Sequence, residues 1–255
     1  MTRRYVCIVT GRNTRAHLER CLASLSCQLW PNYTAVVVDD ASTDGSAELA
    51  EEVCEREGWT FIGRTERVGA LRNQIDAIRA SGDDPDDVLV WVDGDDRLAG
   101  PDTFQILDRH YEAGALVTWG SYEPDPPSAT CPPARPYPPK VVRRNAYREY
   151  ARPRQQGGQG GGICHNHLRS MARSVFDQIG ESDFRDDRGE LFASTPDAVV
   201  FFPALELARG AVAFVPDVLL YYTSDLPQAE WRDHPRTVDY VNTVVMGRSP
   251  KVTRW

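Results

Sequence analysis

The chain has 255 residues, a formal net charge of −8, 41% hydrophobic and 26% charged residues. These proportions suit one large soluble α/β domain, alone or with a modest appendage. The acidic excess argues against bulk, sequence-independent adhesion to nucleic acid or anionic lipid. No apolar run approaches the roughly 18–20 residues that cross a bilayer, so no membrane span is expected.

The N-terminus passes from Met1-Thr2-Arg3-Arg4 directly into the strand pattern Tyr5–Val9, too briefly for a signal peptide. Cytoplasm is therefore the default address. The six cysteines include no Cys-x-x-Cys pair, which suits reduced thiols. Thr14–Gln28 reads as a helix with Thr14 as N-cap and Leu18, Cys21, Leu22 and Leu25 on one face. The apolar, β-branched strand 34–38 stops at Asp39-Asp40, and Ser42 or Asp44 can cap a helix over 46–57. Trp59–Gly63 reads as a strand, Gly69–Ala80 as a helix, and 88–92 as a strand ending at Asp93-Gly94-Asp95-Asp96. Helix Asp102–Ala113 and strand Ala115–Trp119 follow. Alternating strands and helices predict βαβ units in a mostly parallel sheet flanked by helices, a Rossmann-like α/β fold.

Beyond residue 122 the composition shifts. Residues 123–139 carry eight prolines and read as an extended crossing segment. Arg135, Lys140, Arg143, Arg144, Arg148, Arg152 and Arg154 crowd a stretch that is either a solvated basic face or a surface for an anionic partner. Gln155–Gly162 is flexible by composition and, leading into the polar residues 164–169, suggests a mobile active-site loop. Helix 168–179, an acidic loop 181–190, helix 197–208, a strand pair around 211–222 and an irregular C-terminus complete the expectation.

Two strand ends bearing carboxylates at one edge of a parallel sheet suit a nucleotide and its divalent cation. Asp39 and Asp40 can accept from a base N–H or a sugar hydroxyl. Asp93, Asp95 and Asp96 suit Mn²⁺ or Mg²⁺, hard ions that share their shell with phosphate oxygens and water. Arg72, near a helix start, can address phosphate. Asp197 opens a helix whose dipole keeps a carboxylate ionised. Cys164-His165-Asn166-His167 has an unusual spacing for zinc and lacks a further ligand nearby.

Ala35–Ser46 resembles the opening signature of family 2 glycosyltransferases, and Asp93-Gly94-Asp95 resembles their Asp-x-Asp metal motif. Arg67–Asn73 is similar to the family's segment ahead of the metal strand. Thr195–Glu206 resembles the Asp-Ala…Pro-x-Leu-Glu segment of a bacterial subgroup, which also carries a His-Leu-Arg segment like His167-Leu168-Arg169 and an acidic loop like Glu181–Glu190. The resemblance spans residues 4–120 firmly and 163–222 more loosely. It implies the glycosyltransferase A-type fold, a UDP-linked or similar sugar donor, and inversion by direct displacement. It makes Asp197 the catalytic base and assigns Asp39, Asp40, Arg72 and Asp93 to the nucleotide. Asp93 and Asp95 would share the Mn²⁺ or Mg²⁺, with Asp96, His167 and Arg169 touching diphosphate or acceptor. One domain is expected, its nucleotide-sugar half about 1–122 and its acceptor half about 123–255.

Tyr221–Pro227 departs from the subgroup's Tyr-Asn…Asn-Pro motif and leaves the acceptor open. A surface polysaccharide, a lipid-linked glycan, or a hydroxymethylated pyrimidine in phage DNA all remain, the last because of the basic stretch. Two rival functions also stand. A nucleotidyltransferase would carry a Gly-rich basic loop after the first strand, where Thr10-Gly11-Arg12-Asn13 is a faint version. A silent sugar-nucleotide binding module is opposed by the intact acids 93, 95 and 197.

Overall fold

Three apolar strands, β1 (Tyr5–Gly11), β2 (Tyr33–Asp39) and β4 (Val88–Asp93), lie side by side and parallel, with β3 (Thr60–Gly63) outside β2. They are buried on both faces, which is why their sequences are continuous hydrophobic runs rather than alternating ones. This is seen in a computed structural model that describes residues 2–128, 131, 133–225 and 235–251. Among them the sheet has eight strands in the order β3-β2-β1-β4-β7-β6-β8-β5, adding β5 (Arg97–Leu98), β6 (Val117–Asp125), β7 (Arg169–Ala172) and β8 (Val212–Thr223). Only the first half is all parallel, because β7 is antiparallel to both β4 and β6, and β5 to β8.

Helices cover both faces. On one, α1 (Arg15–Ser26), α2 (Ser46–Glu57) and α4 (Thr103–Glu112) pack on Cys7, Val9, Val37, Val90 and Val92. On the other, α3 (Ala70–Ala80) and α8 (Pro196–Leu207) pack on Val6, Ile8, Val36, Leu89 and Trp91. The α8 helix is apolar around its whole circumference, with Phe201, Phe202 and Leu205 all buried, and so runs through the core rather than along its surface.

Four expectations change. Residues 168–179 are not one helix but β7 followed by the short α7 (Arg173–Phe176). The helical spacing of Leu168, Met171, Val175 and Ile179 reflects burial of all four, yet the backbone of 169–172 is claimed by strands on both sides. Ser170 there shares hydrogen bonds with Thr118 and Tyr111, both 2.7 Å. The strand pair around 211–222 is a single strand, interrupted opposite Gly120–Tyr122 by two register shifts, at Pro216-Asp217 and at Leu219. The C-terminal segment includes helix α9 (Pro235–Gly247), and strand β6 continues into the proline-rich segment as far as Asp125. Pro124 is tolerated because beyond Trp119 only β8 pairs with β6.

The rest of the proline-rich stretch leads to α5 (Pro139–Arg144) and α6 (Tyr147–Ala151). The Gly-rich segment is laid against α6: Gln159, Gly160 and Gly161 donate their N–H groups to the carbonyls of Glu149, Arg152 and Tyr150. A Cβ on Gly161 would fall 2.2 Å from the Tyr150 ring, so a close approach, not linker flexibility, explains that glycine.

Candidate active site

The register of the central strands sets the site. Gly11 pairs with Asp39 and Thr10 with Asp93, so both acidic strand ends flank the end of β1 at the carboxyl edge of the sheet. Gly94 lies against Gly11, and a Cβ on Gly11 would meet Thr14 Oγ1 at 2.9 Å, which keeps both turns small.

Asp39 and Asp40 are both buried. Asp39 Oδ2 accepts the Ser42 N–H at 2.9 Å. Asp40 accepts the N–H groups of Val68 (2.8 Å) and Gly69 (3.1 Å), tying the end of β2 to the start of α3. Arg72 is half-exposed and donates to Asp76 one turn on, at 2.9 Å, an acid that also binds Arg64 at 2.6 Å. It edges a 620 Å³ cavity together with Arg67, Gly69, Arg185 from the acidic loop, and Phe192 just after it.

The metal-like cluster consists of Asp93, Asp96 and His167, whose ligand atoms all lie within 4.8 Å of one another. Asp95 is not a member. Its carboxyl is pushed up by burial, against its own amide and the positive influence of His17 and Arg20 on the α1 side. Asp96 is fully buried, accepts the Thr223 N–H at 2.8 Å through Oδ1, and leaves Oδ2 without a hydrogen bond, 4.0 Å from His167 Nδ1. Burial, then the charges of Asp95 and Asp93, push the Asp96 carboxyl well above the usual range. A buried carboxylate oxygen without a partner is costly unless a cation or proton meets it. Burial, then the Arg169 charge, push His167 down to about 3, so the imidazole is neutral and able to ligate. Tyr122 and Tyr222 flank its ring, with centroids 5.7 and 5.3 Å away.

Arg169, on β7, links this cluster to α8. Its Nη1 sits 2.6 Å from Asp197 Oδ2 and its Nη2 is 3.4 Å from His167 Nδ1. The Arg169 side chain is 3% exposed and that of Asp197 45%, so a buried cation holds a carboxylate that still faces solvent. Partial burial works against ionisation of Asp197. The Arg169 charge, then His167 and the Arg169 hydrogen bond, nonetheless hold it below the usual carboxylate range. Asp197 occupies the first turn of α8, after Pro196 and a left-handed Thr195.

Sequence reasoning grouped Asp96 with Asp93 and Asp95 as acids suited to a hard cation and placed Asp96 and His167 near diphosphate or acceptor, but it did not join His167 to the acids. No local signal joins them, since His167 lies 71 residues beyond Asp96 in the sequence. Cys164 and His165 are core residues: Cys164 is buried, and His165 bonds Tyr137 through Nδ1 at 2.7 Å. The basic stretch is not one face either. Arg148 is buried against Glu206, Arg152 donates to the Met246 carbonyl and Arg154 to the Gln159 carbonyl, while Arg143 and Arg144 are exposed. Of the Tyr221–Pro227 departure, Leu226 and Pro227 lie outside the described residues.

The family model described as glycosyl transferase family 2 matches residues 6–180. The chain belongs to glycosyl transferase family 2. It is 34% identical over 100 residues to MT1568, an uncharacterized protein of Mycobacterium tuberculosis; the match covers 39% of this chain and 30% of that one. Its fold is similar to that of S. aureus TarS 1–349 in complex with UDP-GlcNAc, with a TM-score of 0.61, 14% identity, and coverage of 98% of this chain and 68% of that one. Glucosyl-3-phosphoglycerate synthase of M. tuberculosis, in complex with Mn²⁺, UDP-Glc and phosphoglyceric acid, also has a TM-score of 0.61, with 17% identity over 98% of this chain and 81% of that one. These likenesses establish the glycosyltransferase A-type fold for this family 2 chain. Among its described residues no helix is long and apolar enough to cross a membrane.

Proposed function

We propose that the chain transfers a sugar from a nucleoside-diphosphate sugar, UDP-linked, to an acceptor hydroxyl with inversion. One observation carries this reading: Arg169 contacts both Asp197 and His167, setting a solvent-facing carboxylate beside the Asp93–Asp96–His167 cluster. A displacement needs both parts together, a proton acceptor for the incoming hydroxyl and a site for the departing diphosphate. The orphaned Oδ2 of Asp96 and the neutral imidazole suit a divalent cation, and a nitrogen among the ligands suits Mn²⁺ better than Mg²⁺. Bound there, Mn²⁺ would supply positive charge to offset that of the leaving diphosphate. The TarS and synthase structures, with their UDP-sugars and, in the synthase, Mn²⁺, support the choice of donor and ion.

In this scheme Asp39 and Asp40 shape the nucleoside pocket. Asp40 does so partly by fixing Val68 and Gly69, and Asp39 by fixing the Ser42 turn. Asp197 takes the hydroxyl proton as the oxygen attacks the anomeric carbon, and the nucleoside diphosphate leaves from the opposite side. Arg169 orients that carboxylate and keeps it ionised. Asp93 serves the ribose or the ion, and Arg72, at the rim of the α3 cavity, serves the diphosphate after leaving Asp76.

For the acceptor we favour a glycan hydroxyl. The DNA reading loses Arg148, whose charge is spent inside the protein on Glu206. The test is a panel of nucleotide sugars with Mn²⁺, assayed for nucleoside diphosphate release, with the anomeric configuration of the product read by NMR. Asp197→Asn should lower kcat by at least about 10²-fold with little change in donor affinity. Release that survives this change, or a product of retained configuration, would refute the scheme.

A further inference from the structure

The far end of α8 carries a second cavity that the transfer scheme does not use. It has a volume of 650 Å³ and lies between α5, α6 and the segment after α9. Arg143, Arg144, Arg148, Arg152 and Arg248 line it, against the carboxylates of Glu206 and Glu149. Glu206 is neutralised within the wall, since Arg148 grips it through Nε at 2.6 Å and Nη2 at 3.2 Å, both residues being buried. Arg144, Arg152 and Arg248 do not pair with that acid. Arg152 donates to the Met246 carbonyl, and Arg248 to the carbonyls of Ser182, Asp183 and Arg185. A carbonyl fixes a guanidinium in place while leaving its full charge. Arg144 adds a further exposed charge in the last turn of α5. The wall is therefore strongly positive and partly pre-set, in a protein whose net charge is −8.

We infer that this cavity binds the phosphate of a phosphorylated ligand. Guanidinium groups held in advance lose little freedom on binding, and their fork matches phosphate oxygens in pairs. A volume in this range admits a phosphorylated sugar or a phosphodiester segment rather than a bare ion alone. Glu206 stands nine residues after Asp197 on α8, about 14 Å along the helix at 1.5 Å per residue. A phosphate here is therefore outside the reacting centre and serves as an anchor. The ligand is either a small phosphorylated compound or a phosphate borne some units along an acceptor glycan.

The experiment is calorimetric titration at fixed ionic strength without Mn²⁺, so that the acids at 93–96 repel anions from the donor site. The probes are inorganic phosphate and a short glycerol phosphodiester oligomer, with chloride as the ionic control. Saturable phosphate binding is expected, weakened at least about tenfold by Arg144→Gln or Arg152→Gln, the scale of one lost charge-assisted contact. Arg144 is exposed, so its replacement should leave the fold and nucleotide binding intact. An oligomer that binds tenfold tighter than phosphate identifies a glycan-borne source; equal affinity identifies a small phosphorylated ligand. Absence of saturable binding, binding equally matched by chloride, or binding that survives both substitutions would overturn the inference. None of these outcomes depends on glycosyl transfer, so failure here leaves the proposed reaction untouched.

Discussion

Arg169 Nη1 lies 2.6 Å from Asp197 Oδ2, joining a strand in the middle of the sheet to the first turn of a core helix. The pair explains how a carboxylate that faces solvent at the site is held below the usual carboxylate range, the Arg169 charge outweighing its partial burial. A base must be ionised to accept a proton, so a lowered pKa extends activity to acid. Arg169→Met should therefore move the acid limb of the kcat/KM profile upward by about one pH unit or more, as the carboxyl loses its cation. An acid limb that stays where it was would show that Asp197 is not the group titrating.

Metal affinity should separate the three neighbouring acids. Asp96→Asn and His167→Ala should each weaken Mn²⁺ binding by about 10-fold or more, by analogy with the loss of a metal-site contact. Asp95→Asn should weaken it less, because the Asp95 side chain stands outside the cluster. Mn²⁺ titration by electron paramagnetic resonance, with no sugar donor present, reads this directly. Equal loss in Asp95→Asn and Asp96→Asn would return the ion to the Asp93–Asp95 pair.

The buried Arg148–Glu206 pair should matter to stability and not to chemistry. Removing one partner strands a buried charge, so Glu206→Gln or Arg148→Met should cost about 3–5 kcal/mol. The double replacement should cost less than the sum of the singles, because neither charge is left alone. Urea unfolding of the three variants measures the coupling, and simple additivity would contradict it.

His165 makes the fold sensitive to acid. Burial, then the Arg169 charge, push its pKa down to about 3 from an ordinary 6.5. Above 6.5 both folded and unfolded states hold it neutral, and its contribution is fully present. As the pH falls from 6.5 toward 3, only the unfolded chain takes up the proton, and stability is lost at up to about 1.4 kcal/mol per unit. Between pH 6.5 and 5, wild-type protein should therefore lose about 2 kcal/mol more than His165→Gln, measured by urea unfolding at each pH. Parallel losses in the two proteins would assign the acid sensitivity to other groups.

The parallel core and its acidic edge were legible because the signals are local. A strand buried on both faces must be apolar along its length, and the first carboxylates after it mark where the strand leaves the core, as at Asp39 and Asp93. Asp197 was placed in the first turn of a helix for the same reason, since Pro196 and the apolar run behind it mark a start. Local pattern was not enough for 168–179, where burial at helical spacing was satisfied by a strand inserted between β4 and β6. The basic stretch likewise was read as one surface until Glu206, 58 residues away, drew Arg148 into the core.

The sequence by itself determined which segments are apolar, where they end, and which acids stand at those ends, because hydrophobic periodicity and chain breaks act over a few residues. The tertiary structure decided which of those acids meet. Asp96 turns inward because its Oδ1 accepts the Thr223 N–H, 127 residues away on the neighbouring β8, and His167 reaches Asp96 only because β7 enters the sheet beside β4. Such partners are fixed by strand order and register, and neither is encoded in the spacing of either segment alone.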